Sequence, residues 1–184
     1  MILKPHEYPV KWYNLDDSKL NNVSDLPEIK NEEYQGFCAA VGQAMLGWSR
    51  VETQVYFAYR INFKAYDHKS ATAAWEAIDS FRGRLKMADY CIKTRSPEWI
   101  EGWDKLKERC RKRSLKRNFI AHSETWYDCK AQSGKRFFIS NLRLEGFDKM
   151  LYQRELNDLF VSFDKLANDM IVFFSDKYSS RPKD

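Results

Sequence analysis

The chain is 184 residues long, the length of one ordinary domain, and its 43% apolar and 15% aromatic content is enough to build a core and to exclude disorder over most of it. Thirty-one Lys and Arg against 26 Asp and Glu leave a net charge of +5, which permits a polyanionic partner without requiring one. Four scattered cysteines without a CxxC pair and three histidines supply no zinc-ligand spacing, and no leader-like or membrane-spanning apolar run occurs, so the expectation is a cytoplasmic protein with no metal and no membrane contact.

Residues 1–30 are polar, hold three of the five prolines (Pro5, Pro9, Pro27) and show no sustained period, which predicts an irregular N-terminal arm preceding a helical domain over 31–184. From Asn31, the residues Tyr34, Phe37, Val41, Ala44, Trp48, Val51, Val55 and Ala58 alternate at spacings of three and four, the signature of one long amphipathic helix. Asn31 is its candidate N-cap, with Glu32 and Glu33 favourable beside it. Gly36, Gly42 and Gly47 weaken that helix and predict a close backbone approach. A second helix is predicted from about Ser70 to Thr94 through Trp75, Ile78, Phe81, Leu85, Ala88 and Ile92. Ser96 followed by Pro97 predicts the start of a third, running to about His122. Thr125–Asp128, the turn-like Gln132–Lys135 and Arg136–Ile139 predict a β-hairpin. A last helix spans about Gln153 to Tyr178. The fold class is all-α: a four-helix bundle with a small β-hairpin insertion before the last helix.

The third predicted helix carries the chemistry. At about 100° per residue, Trp99, Trp103, Leu106, Cys110 and Ala121 form one apolar stripe, and Arg117 falls in it. A guanidinium there must meet a carboxylate, reach an interface or open onto a cleft, because burying it unpaired is costly. Lys105, Arg109, Lys112 and Lys116 form a basic row, and eight of the thirteen residues from Lys105 to Arg117 are basic. Like charges one turn apart repel, so the row predicts either a solvated face or an anion, phosphate foremost, that relieves the repulsion. Arg111, Leu115, Asn118 and His122 make a third face. Cys110 is expected as a small buried hydrophobe, His6 and His68 as surface residues, and Trp126 and Tyr127 either to stack on a base or, as strand aromatics more often do, to fill a core.

At Arg117-Asn118-Phe119-Ile120-Ala121-His122 the chain resembles the RX4-6H motif of the HEPN superfamily, and Gly47-Trp48-Ser49-Arg50-Val51-Glu52 is similar to that superfamily's opening helix; the resemblance covers roughly Asn31 to Tyr178. It implies a HEPN-type bundle and a metal-independent, cofactor-free endoribonuclease, in which an RNA 2′-hydroxyl attacks the adjacent phosphorus to give a 2′,3′-cyclic phosphate. His122 would move protons, as the usual imidazole titration range suits. Arg117 would stabilise the phosphoryl charge, and Asn118 would orient His122 or the phosphate by hydrogen bonding. Lys105, Arg109, Lys112 and Lys116 would bind the RNA. The resemblance also implies a homodimer that pairs two His122 residues, a toxin or defence role, and an antitoxin among the partners. The competing expectation is a non-catalytic HEPN-like dimer serving as a binding or scaffold module, with Arg117 paired to a carboxylate such as Glu52 and His122 capping helix-terminal carbonyls.

Overall fold

A computed structural model describes residues 11–13, 31–63, 68–128, 131–141 and 149–179. In chain order the elements are β1 (Lys11–Tyr13), α1 (Asn31–Asn62), α2 (His68–Glu76), α3 (Phe81–Arg95), a 3-10 turn (Pro97–Trp99), α4 (Ile100–His122), β2 (Glu124–Asp128), β3 (Phe137–Ser140), β4 (Leu151–Tyr152) and α5 (Gln153–Ser179). Helix dominates, as the all-α reading expects, and among the described residues there are five α-helices where four were predicted.

The extra one arises because the second predicted helix is broken. Ser80 adopts an extended conformation (φ −107°, ψ 141°) and its Oγ accepts a hydrogen bond from the Gly83 N–H at 3.1 Å, the N-cap that starts α3. Ser96 differs as well. Its hydroxyl donates to Asn62 Oδ1 at 2.7 Å instead of capping, and Pro97 opens a 3-10 turn before the α-helix begins at Ile100.

The chain divides into two compact units, Met1–Met45 with Arg117–Phe160, and Leu46–Lys116 with Val161–Asp184. The first holds the sheet. Strands β2, β3 and β4 are antiparallel neighbours, and β1 adds to the edge in parallel with Lys11 opposite Trp126. The irregular-arm reading therefore fails at Lys11–Tyr13, and the remainder of residues 1–30 lies outside the described residues. Gly134, at φ +84°, occupies the left-handed conformation that the β2–β3 connection needs, and its N–H donates to Glu33 Oε1 at 2.8 Å. Phe137 gathers Tyr34, Phe37 and Tyr127 at centroid distances of 5.2, 5.9 and 4.9 Å, so the aromatic strand residues are core. Trp126 and Tyr127 are both buried, which settles them as packing residues.

In the second unit aromatic side chains hold the helices together. Trp48 meets Phe81 and Phe163 edge-on at 4.7 and 5.4 Å, and Trp99 and Trp103 both pack on Phe174. Gly102 is needed for this packing, because a Cβ there would lie 2.5 Å from the Phe173 ring. Cys110 is buried as expected, its Sγ 3.7 Å from Met170 Sδ, and burial pushes its thiol up to about 12.

The glycines of α1 do not share one explanation. Gly36 faces the Gln153 side chain, with a Cβ position 3.1 Å from its Nε2, whereas nothing lies within 4 Å of one at Gly42. No close approach requires Gly42, and Gly42→Ala is expected to stabilise the protein by about 0.5–1 kcal/mol through helix propensity. A rise in the urea midpoint at unchanged slope checks this; a fall would mean that the position is used by something outside the monomer.

Candidate functional site

The motif residues end α4. Along that helix Trp99, Trp103, Leu106 and Cys110 are buried, as predicted, up to the turn at Cys110. Beyond Lys116 the buried side chains are Phe119 and Ile120, and Ala121 is exposed, contrary to expectation. Phe119 lies about 180° round the helix from Cys110, so the covered side has changed. Arg117 continues the direction of the stripe into a region where that direction is no longer core, which is why it is half-buried and not sealed in.

Arg117 Nη1 donates to Asn118 Oδ1 at 3.2 Å, turning the guanidinium toward the face that carries Asn118 and His122. Its Nε is buried without an acceptor, and among the described residues no carboxylate pairs with Arg117. Glu52 has other work: its Oε1 accepts the Trp48 indole N–H at 2.8 Å within the second unit. An unsatisfied buried N–H costs about 1–3 kcal/mol, and an anion's oxygen would remove that cost.

His122 is exposed, and among the described residues its imidazole makes no hydrogen bond. Nor does it cap the helix. The Asn141 amide donates to the His122 carbonyl at 3.1 Å and the Ser123 hydroxyl to the Phe119 carbonyl at 2.5 Å, so two other side chains satisfy the terminal groups. Lys149 completes the surroundings, its ammonium 4.9 Å from the centre of the Phe119 ring. Sequence reading missed Asn141 and Lys149, since they reach the helix end only through the strands that follow it.

The basic row belongs to the preceding turns and is mostly committed to nearby acids. Lys105 donates to Glu101 at 3.0 Å, Arg109 to Asp169 at 2.5 Å, and Lys112 stands 3.7 Å from Glu108. Glu108 also takes Arg111 through Nε and Nη2 at 2.8 and 2.9 Å. Hydrogen bonding by Arg111 holds the Glu108 carboxyl below its ordinary value. Of the four, Lys116 alone has no ion pair among the described residues. The repulsion along the row is thus relieved within the protein itself. The exposed pairs of Lys105 and Lys112 contribute little, and a polyanion can displace them, whereas the Arg109–Asp169 pair is half-buried.

Asp89 of α3 anchors a further polar cluster. It accepts from the Trp103 indole at 2.9 Å and from Lys107 at 2.9 Å, with Lys93 at 3.2 Å. Burial opposes its ionisation, yet these donors outweigh burial and hold the carboxyl below the ordinary aspartate value.

Among the described residues no group of three or more His, Cys, Asp or Glu side chains could hold a metal ion, and no helix is long and apolar enough to cross a membrane. No family model, curated protein or solved structure matches the chain.

Proposed function

We propose that the protein is a metal-independent endoribonuclease of HEPN type, with Arg117, Asn118 and His122 as its site. The observation that carries this reading is the Arg117 guanidinium: half-buried near a helix end, without a carboxylate partner among the described residues, with its Nε–H lacking an acceptor there, and hydrogen-bonded to Asn118, one helical turn before an exposed histidine. A phosphodiester supplies what is missing there. Its oxygens accept from the guanidinium, most strongly as charge accumulates on them during displacement.

In the reaction the 2′-oxygen forms a bond to phosphorus as its proton passes to one imidazole, and the bond from phosphorus to the 5′-oxygen breaks as that oxygen receives a proton. The products are a 2′,3′-cyclic phosphate and a 5′-hydroxyl. A single His122 serves one transfer at a time, so a two-fold dimer with two His122 residues at one cleft supplies both. Lys116 adds positive charge next to Arg117 in the chain, and the paired Lys105, Arg109 and Lys112 contribute by exchanging their acids for phosphate.

Purified protein is expected to cleave single-stranded RNA in EDTA, to leave cyclic-phosphate ends, and to lose that activity in His122→Ala with an unchanged melting temperature. Light scattering should give a dimer at micromolar concentration. Cleavage that survives in His122→Ala would defeat the assignment. The second reading, a non-catalytic dimer, takes its place if the parent cleaves no RNA under any of these conditions.

A further inference from the structure

The strongest unassigned surface is on α3. At about 100° per residue, Arg82, Lys86, Tyr90 and Lys93 fall within an arc of about 80°, and all four are exposed. The opposite side of the helix carries its buried residues, Leu85, Ala88, Cys91 and Ile92. Tyr90 is 68% exposed, an aromatic ring standing in solvent amid cations. Among the described residues Arg82 and Lys86 have no ion pair, in contrast to most of the α4 row; Lys93 is held at 3.2 Å by Asp89, which Lys107 also holds.

Two features separate this face from an ordinary solvated one. The first turn of α3 contains no acid, so Arg82 stands where the helix dipole is already positive, while Arg84, on the other side of the helix, donates to the Ile78 carbonyl at 2.9 Å and lies over the Trp75 ring. That arrangement opposes helix stability and concentrates positive potential at one end. Secondly, residues 81–116 contain twelve Lys and Arg against five Asp and Glu, a surplus of seven that exceeds the +5 of the whole chain. The rest of the protein is net acidic. The charge is therefore localised on α3, α4 and their connection, and α3 is where it is least neutralised.

We infer that the exposed face of α3 binds single-stranded nucleic acid, Arg82, Lys86 and Lys93 meeting backbone phosphates and Tyr90 stacking on a base. The exposed ring decides for an unpaired strand over other polyanions: aromatic platforms between cations are how single strands are held, and a duplex hides the base faces that Tyr90 would use. Binding here does not require Arg117 or His122 to be catalytic, and goes beyond the ribonuclease reading.

The test uses a fluorescein-labelled, mixed-sequence 2′-O-methyl RNA 20-mer, which lacks the attacking hydroxyl and keeps binding separate from cleavage. Anisotropy titrations between 50 and 200 mM salt are expected to show binding that weakens with salt and exceeds that of the same sequence as a duplex. Tyr90→Ala should weaken it about tenfold, and Tyr90→Phe should restore it. Arg82→Ala with Lys86→Ala should reduce the salt slope by about 1.4, two phosphate contacts at ~0.7 each. Lys165→Ala, on an exposed part of α5, should leave affinity and slope unchanged, and melting curves should show every variant folded. Parental affinity in both Tyr90→Ala and the double variant would overturn the inference. Binding to phosphatidylserine vesicles with none to the oligonucleotide would overturn it too, in favour of a membrane surface.

Discussion

Arg117→Ala is expected to lower RNA cleavage by about 10²–10³-fold while leaving the denaturant midpoint almost unmoved. The two halves of this result have one cause. A guanidinium paired inside a core would leave a carboxylate behind when removed, and stability would fall by about 3–5 kcal/mol. Among the described residues Arg117 has no such partner, only Asn118 Oδ1 at 3.2 Å, and its buried Nε lacks an acceptor, so truncation removes an unsatisfied donor along with the charge and its packing. Arg117→Lys should recover little of the rate, since an ammonium cannot offer the planar fork. Measuring single-turnover cleavage beside urea midpoints for the parent and both variants separates the outcomes. Loss of several kcal/mol of stability in Arg117→Ala would assign the residue to the fold.

Trp48→Ala is expected to be the more damaging change to stability, by about 3–5 kcal/mol. The indole is 1% exposed, meets Phe81 and Phe163 edge-on and donates to Glu52 at 2.8 Å. Its loss opens a cavity among three helices and leaves Glu52 without its donor. Trp48→Phe keeps most of the apolar volume and should cost about 1–3 kcal/mol, chiefly for the missing N–H and the smaller ring. Urea denaturation of the two variants checks the order; equal losses would mean that the hydrogen bond outweighs the packing.

Where packing follows a local period, the sequence was readable. The spacings from Tyr34 to Ala58 lie on α1, the last predicted helix is α5, and the hairpin follows its strand residues and turn. The break between α2 and α3 escaped because Trp75, Ile78 and Phe81 carry the helical spacing straight across it; the extended Ser80 and its bond from the Gly83 N–H mark the interruption. Strand β1 had no local signal, since Lys11 finds its pair at Trp126, 115 residues away. At the site, Arg117, Asn118 and His122 were legible as a helix-end motif. Their surroundings were not, because the row's neutralisation depends partly on Asp169 from a distant helix, and the helix end is satisfied by Asn141 from beyond a hairpin. The α3 face was hidden differently: its residues are adjacent enough to read, but their freedom from acids is a property of the folded chain.

Both units are discontinuous in sequence, each closed by a part of α5, and this bears on how the protein is made. A ribosome releases Trp48, Trp99 and Trp103 long before Phe163, Phe173 and Phe174, the rings on which they pack. At translation rates of about 5–20 residues per second, the 60 residues between Trp103 and Phe163 take about 3–12 s to synthesise. For that interval the nascent chain presents three indoles with their closing helix still unmade. The aromatic packing of the second unit is thus completed only once the last helix has been made.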